Sequence, residues 1–294
     1  MANSNGWGDG SANNAIGWGQ GANNAIGWGD IHADSWAGLT DIVGITTPPV
    51  DPDAQAFVTA AAITDPTQQA AINTLVVDLK GYSIWSKMKA LYPFVGGTST
   101  STSYNLKNTA QYQITWNGGW NWNNNGVTGS ANGYGNTGLI PNSVLSISSG
   151  HLSIYSRTNV SGGYDMGSGS GTGAVENSLI SRWTDNKFYS QYGTPSYPNT
   201  ANTDSRGLFI ANRNSATNTT GYKNGIKVID AAQTSSQLST TALVLSAINA
   251  SGAISSYSLR NYAFASIGDG LTDTEAANFY TAVQNFQVAL NRNV

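Results

Sequence analysis

From about residue 104 onward, apolar and polar residues alternate in short runs, a period of two that suits a pleated strand and no helix. The runs span residues 111–116, 144–147, 151–155, 179–183, 208–212 and 243–248, and Gly, Asn and Ser bound them. Asn224-Gly225 sits at the centre of residues 222–227; Asn-Gly accepts the positive φ of a type I′ turn, so a hairpin is expected there. Many short strands with turn residues between them point to an antiparallel β-sandwich. The chain then changes period. Thr272-Asp273-Thr274-Glu275 reads as a capping box, and Ala276, Phe279, Tyr280, Val283, Phe286 and Leu290 form an apolar stripe behind it. A C-terminal helix lying against the sandwich is expected.

Two helices are expected ahead of the strands. Asp51-Pro52 and Asp65-Pro66 each place an N-cap before a proline at the first helical position. The first helix covers about residues 52–61, and the second runs through 68–79 with Ile72, Leu75, Val76 and Leu79 on one face. Apolar residues continue to Pro93, and Gly96-Gly97 interrupts them. Residues 48–97 thus read as a helical collar between an arm, 1–47, and a sandwich with its terminal helix, 98–294.

The arm is repetitive. Gly-Trp-Gly recurs around Trp7, Trp18 and Trp28, and Ala-Asn-Asn-Ala-Ile recurs with Ile16 and Ile26 at its ends. One Trp and one Ile per repeat bury too little surface to offset the entropy of ordering about ten residues, so such a segment orders only against other chains. Trp7, Trp18, Trp28, Trp36, Ile16 and Ile26 are therefore the expected attachment residues, with a flexible linker as the alternative. Residues 1–79 hold eight Asp and no Lys, Arg or Glu, while 13 basic residues face six Asp and two Glu in the remainder, giving −8 against +5. An acidic arm argues against binding nucleic acid and suits a basic protein surface.

Charged residues are only 10% of the chain, against about a quarter in ordinary globular proteins. There is no Cys, so neither disulfides nor thiolate metal sites exist. No stretch is long and apolar enough for a membrane span, and the first residues lack the pattern of a secretory signal. Catalytic candidates are few. Glu occurs only at 176 and 275; Glu275 belongs to the capping box and Glu176 follows a Gly/Ser stretch around 167–171 that reads as a mobile loop. A glycosidase commonly needs two carboxylates at a set separation, and no run carries two acids in alternation. His151, alone on a strand, reads as a hydrogen-bonded structural residue. Asp165, Asp185 and Asp204 could hold calcium, but their spacing requires no metal; no cofactor is expected.

The binding candidate is aromatic. Trp116-Asn117-Gly118-Gly119-Trp120-Asn121-Trp122-Asn123 supplies rings for sugar C–H faces and amides for hydroxyls. Trp116 reads as core, whereas Trp120 and Trp122 are open to either role. Tyr189, Tyr192 and Tyr197 form a second aromatic candidate.

Residues 51–294 resemble a domain of structural proteins in tailed phages, including crAss-like phages and relatives infecting Bacteroidota. The resemblance rests on Leu79-Lys80-Gly81-Tyr82-Ser83-Ile84-Trp85, Lys87-Met88-Lys89-Ala90-Leu91-Tyr92-Pro93-Phe94-Val95-Gly96-Gly97 and Asn117-Gly118-Gly119-Trp120. It continues in His151-Leu152-Ser153, Tyr155-Ser156-Arg157-Thr158-Asn159 and Phe264-Ala265-Ser266-Ile267-Gly268-Asp269-Gly270-Leu271-Thr272. The body is also similar to concanavalin-like (jelly-roll) and laminin-G-like sandwiches, and the arm to the N-terminal arms of such virion proteins. The resemblance implies a head or tail fibre on the particle surface, homotrimeric, attached to other virion proteins through residues 1–47 and able to meet host glycans. The sequence departs from the pattern at Trp122 and the Asn-rich stretch after it. The expected protein is non-catalytic; a free carbohydrate-binding module and a polysaccharide depolymerase are its rivals.

Overall fold

The computed structural model describes residues 50–169 and 175–294; the arm and its attachment residues lie outside them. Both N-terminal helices form where their caps place them. In α1 (Pro52–Ala60) the Asp51 carboxylate accepts from the Asp53 amide at 2.9 Å, and in α2 (Pro66–Gly81) the Asp65 carboxylate accepts from the Thr67 amide at 2.8 Å. Lys80 Nζ lies 2.7 Å from Asp51 and 2.6 Å from Asp53, tying the end of α2 to the start of α1. Short helices α3 (Ser99–Ser103) and α4 (Pro141–Val144) precede the long α5 (Asp273–Ala289). The capping box of α5 is reciprocal: the Glu275 amide donates to Thr272 Oγ1 at 3.2 Å and the Thr272 amide donates to Glu275 Oε2 at 2.8 Å.

The strands are short and numerous. They begin with β1 (Met88–Tyr92), β2 (Thr115–Asn117), β3 (Trp120–Asn123), β4 (Gly126–Gly129), β5 (Tyr134–Asn136) and β6 (Gly150–Ser156). Next come β7 (Met166–Gly169), β8 (Glu176–Ile180), β9 (Lys187–Thr194), β10 (Asn199–Ala201), β11 (Gly207–Ser215), β12 (Asn218–Lys223) and β13 (Ile226–Ala232). The last are β14 (Val244–Leu245), β15 (Ile248–Ala250), β16 (Ala253–Ser255) and β17 (Asn261–Gly268). They form an eight-stranded sheet in the order β13-β12-β11-β6-β17-β4-β3, with β1 sharing an edge of β17, and a nine-stranded sheet in the order β10-β9-β8-β7-β14-β5-β2, with β15 beside β7 and β16 beside β15. Pairing is antiparallel except where β15 meets β7. The expected hairpin joins β12 to β13, with Asn224 at φ 50° and Gly225 at φ 77°.

Two cores divide the molecule into three layers. Leu152, Ile154, Phe209 and Ala265 of the eight-stranded sheet meet Met166, Leu179, Phe188 and Leu245 of the nine-stranded one. On the other side of the eight-stranded sheet, Tyr155, Leu208, Ile210, Tyr222 and Phe264 pack under α1, α2 and α5. The mainly β sandwich with a C-terminal helix is therefore as expected, but the collar is not a region apart from it. Residues 50–97 share the second core and lend β1 to the sheet, so they belong to the same compact unit as the sandwich. Burial on both faces makes β6 and β17 entirely buried.

Two local expectations fail for physical reasons. Residues 144–147 do not form a strand: Pro141 starts α4 instead, and only an isolated bridge joins Ser146 to Ser149. Of the stretch 167–171, Gly167, Ser168 and Gly169 are in strand β7 and not in a mobile loop, with side chains of neighbouring elements standing where a Cβ on either glycine would go, while residues 170 and 171 lie outside the described residues.

A charge-poor surface accompanies charged groups deep inside. Arg213, Arg260 and Arg292 are wholly buried. Arg260 pairs with Asp165 at 2.9 Å, and the Tyr262 hydroxyl donates to the same carboxylate at 2.8 Å. Arg292 instead donates to carbonyls of Pro93 (2.7 Å), Phe94 (2.8 Å) and Ala263 (2.9 Å) and to the Gln287 side chain (2.7 Å). Burial pushes its guanidinium down to about 9, so it is still a cation at neutral pH, fixing the C-terminal turn against β1 and β17.

Candidate functional site

The tryptophan-rich segment crosses between the sheets: Trp116 is on β2 of one, Trp120 and Trp122 on β3 of the other. Their rings form a cluster, Trp116 to Trp120 at 4.4 Å and to Trp122 at 6.2 Å, packed against the inter-sheet core. Trp116 Nε1 donates to Ser99 O and Trp120 Nε1 to Asn117 O, both at 3.0 Å, while Trp122 Nε1 is buried without a partner. Asn121 and Asn123 alternate with the rings and are exposed on the opposite side of the strand. The expected constellation of Trp120, Trp122, Asn121 and Asn123 is therefore split: a sugar stacked on the half-buried rings is not reached by those two amides. The cluster closes one open side of the sandwich, and Asn123 Nδ2 donates to Asn121 Oδ1 at 3.2 Å.

The tyrosine candidate also divides. Tyr192 is wholly buried between the sheets, its hydroxyl donating to Ser146 O at 3.0 Å, so it is a core residue and not a ligand contact. Tyr189 alternates with it and is half-buried on the outer face, where its hydroxyl donates to Asp185 at 2.6 Å. Burial, and then that carboxylate, push the Tyr189 hydroxyl up to about 12. Tyr197 is exposed, and it leads to Glu176, a residue the sequence left without a role.

Glu176 stands at the start of β8, on the outer face of the nine-stranded sheet. Its oxygens accept from the Tyr197 hydroxyl and from Ser178 Oγ, each at 3.0 Å, and the Tyr164 hydroxyl also bonds it. Ser178 Oγ lies 3.3 Å from Gln191 Oε1, and Ser178 and Gln191 form a buried polar floor. The Tyr164 ring meets Trp183 edge-on at 5.8 Å and 73°. Two glycines make the room: a Cβ on Gly169 would stand 3.1 Å from Glu176 Cγ, and one on Gly167 would stand 3.2 Å from Tyr164 Cδ1. Glycine at every second position of a strand was the available signal, hidden because Gly167-Ser168-Gly169 also has the composition of a loop.

Electrostatics set Glu176 apart. Burial raises its pKa, and the hydroxyl donors Tyr197, Ser178 and Tyr164 offset only part of that rise. Among the described residues it forms no ion pair, whereas Asp165 is held by Arg260, Asp185 by Lys187 and Asp204 by Arg206. These engagements also take the three aspartates considered for calcium out of a shared site. Among the described residues no group of three or more His, Asp or Glu is placed to hold a metal ion. His151 is a wholly buried structural residue, bonded to Asp269 O at 2.7 Å and Ser266 Oγ at 2.9 Å.

The fold defines a class, an antiparallel β-sandwich with one sheet faced by helices, and comparison adds no closer kinship. No protein-family model matches the chain, and no curated protein does. Among solved structures it is similar to a Trypanosoma rangeli sialidase, at 9% identity and a TM-score of 0.47 over 72% of this chain and 39% of that one. It is also similar to the binding domain of botulinum neurotoxin DC solved with rat synaptotagmin II, at 11% identity and 0.47 over 68% of this chain and 52% of that one. Domain 4 of a GH43 extracellular arabinanase from Geobacillus stearothermophilus gives 13% identity and 0.38, with 66% of this chain and 98% of that one covered. The chain thus spans 39% of the sialidase's length and 52% of the toxin domain's.

Proposed function

We propose that this protein is a non-catalytic fibre or decoration protein of a tailed-phage particle, attached through residues 1–47 as a homotrimer and presenting the sandwich to host glycans. The observation that carries the glycan part is the outer face of the nine-stranded sheet. There, Tyr164, Trp183, Tyr189 and Tyr197 supply partly exposed rings, and Glu176, held by Ser178 and Tyr197, supplies a fixed polar group beside Tyr164 and Tyr197. Rings that cover sugar C–H surfaces, with a few oriented hydrogen-bonding groups, are what a saccharide site requires. The resemblance of residues 51–294 to phage structural domains supports the particle location, and the repeated Trp and Ile of the arm support attachment.

Binding is favoured over hydrolysis because the carboxylates that could accompany Glu176 are held by cations of the protein. One observation favours the depolymerase as a second reading: burial raises Glu176, as a general acid requires. The two separate in one experiment. The purified full chain is applied to a glycan array and incubated with any polysaccharide it retains. Retention without loss of viscosity, abolished in Tyr197→Ala or Trp183→Ala and kept in Trp122→Phe, is the expected result; falling viscosity makes it an enzyme, and an array without hits removes the glycan reading. Cryo-microscopy of intact particles tests the location, and density for the sandwich away from any particle surface would overturn it.

A further inference from the structure

Nine carboxylates among the described residues sit within ion-pair distance of a Lys or Arg: Asp51 and Asp53 with Lys80, Glu275 with Lys87, Asp269 with Lys89, Asp185 with Lys187, Asp204 with Arg206, Asp230 and Asp273 with Lys227, and Asp165 with Arg260. Asp65 caps α2. Glu176 has none of this support although most of it is out of water: its partners are neutral hydroxyls, and Gln191 and Ser178 beneath it are neutral too. A carboxylate withdrawn from water without a counter-charge carries an uncompensated desolvation cost. Such a cost is recovered when a ligand brings the missing cation.

We propose that Glu176 selects a saccharide carrying a free, protonated amino group, so that the face recognises an amino sugar; this rests on the glycan reading above. Three features beyond the missing counter-charge fit an organic ammonium. The Tyr197 hydroxyl that covers one carboxylate oxygen belongs to an exposed side chain, so it is the group an incoming ammonium displaces. The Tyr164 and Tyr197 rings stand beside the charge, Trp183 meeting Tyr164 edge-on behind it, and a cation over an aromatic face gains further attraction. Calcium or magnesium would need about six or more oxygen ligands, commonly with carboxylates among them, whereas Asp185, the acid bonded to Tyr189, is engaged with Lys187.

The test is isothermal titration of the full chain with a glucosamine oligomer and with the same oligomer N-acetylated, at a pH where the amine is charged. The free-amine oligomer should bind about tenfold tighter or more, the worth of one charge-assisted hydrogen bond. Glu176→Gln, close in shape and neutral, should lose that preference while keeping its thermal midpoint, because it removes an unpaired charge. Equal affinity for the two oligomers, or a preference that survives in Glu176→Gln, overturns the amino-sugar inference. If another saccharide on the array is bound, the glycan reading stands without it; if none is bound, both fall.

Discussion

Between about pH 6.5 and about 4, His151 should make acid weaken this protein, in a window set by its burial. The ring lies between β6 and α5, edge-on to Phe279 at 5.9 Å, with Nδ1 2.7 Å from Asp269 O and Nε2 2.9 Å from Ser266 Oγ. A carbonyl can only accept, so Nδ1 carries the proton and Nε2 accepts from Ser266, whose oxygen in turn lies 2.6 Å from Ser153 Oγ. Protonating Nε2 would reverse this chain of hydroxyls and place a cation among apolar groups. Desolvation accordingly lowers the pKa from 6.5 to about 4, partly opposed by the bond to Asp269. The sign follows directly. Between those values the unfolded chain takes up a proton that the folded chain refuses, so stability is lost as pH falls from about 6.5 to about 4 and the loss levels off below. At about 1.4 kcal/mol per pH unit, the loss approaches ~3 kcal/mol.

His151→Gln keeps an amide donor for Asp269 and an acceptor for Ser266 but cannot titrate in this range. Urea unfolding of both proteins at closely spaced pH values from about 7.5 to about 4 isolates the effect, since the remaining titrating groups are common to both. Glu275, whose pKa is lowered chiefly by its bond to Lys87 against the pull of burial, loses its contribution only as pH falls below its ordinary value, in either protein. The wild type should fall by ~3 kcal/mol more than the variant. Parallel decline of the two curves would refute the reasoning, because the ring would then be taking its proton in the folded state as easily as in the unfolded one.

Other perturbations separate scaffold from surface. Arg292→Met leaves the carbonyls of Pro93, Phe94 and Ala263 without their donor and should cost ~3 kcal/mol or more, read as a lower urea midpoint; an unchanged midpoint would show that the C-terminal turn contributes nothing to the fold. Tyr192→Ala should cost ~3–5 kcal/mol, as large aromatic truncations in a core do, and Tyr189→Ala under ~1 kcal/mol. Equal costs for the two would contradict their placement on opposite faces of β9.

Much of the fold was legible because it is written in local chemistry. Asp51, Asp65 and Thr272 announce their helices by cap geometry alone, and Asn224-Gly225 announces its turn. What local chemistry does not carry is partner choice. Nothing in residues 52–79 says that their apolar face covers a sheet face supplied by Tyr155, Leu208 and Ile210, more than 70 residues away, so the helices read as a collar. The site was obscured for the same reason. Tyr192 and Tyr189 look alike in sequence, and only register decides which faces the core. Trp120, Asn121, Trp122 and Asn123 look like one site along the chain, yet a strand sends neighbours to opposite sides. Glu176 and Tyr197 meet because β8 pairs with β9, a choice of partner that no local signal marks.

The two faces of the sandwich therefore hold different kinds of information. The helix-covered side of the eight-stranded sheet is built from the end of α2, β1, β6, and β17 running into the cap of α5. Those elements are bonded to one another, β1 and β6 both pairing with β17 and Lys87 joining β1 to α5. Their residues are fixed by contacts on two sides at once, and a change in any one must be accommodated by helix and sheet together. The Glu176 face lies on the other sheet, assembled from β7, β8, β9 and the segment leading to β10, where the side chains answer to one layer only. A scaffold built this way can alter what it recognises by exchanging Tyr164, Glu176, Trp183 or Tyr197 without disturbing the helix-covered sheet that holds it together.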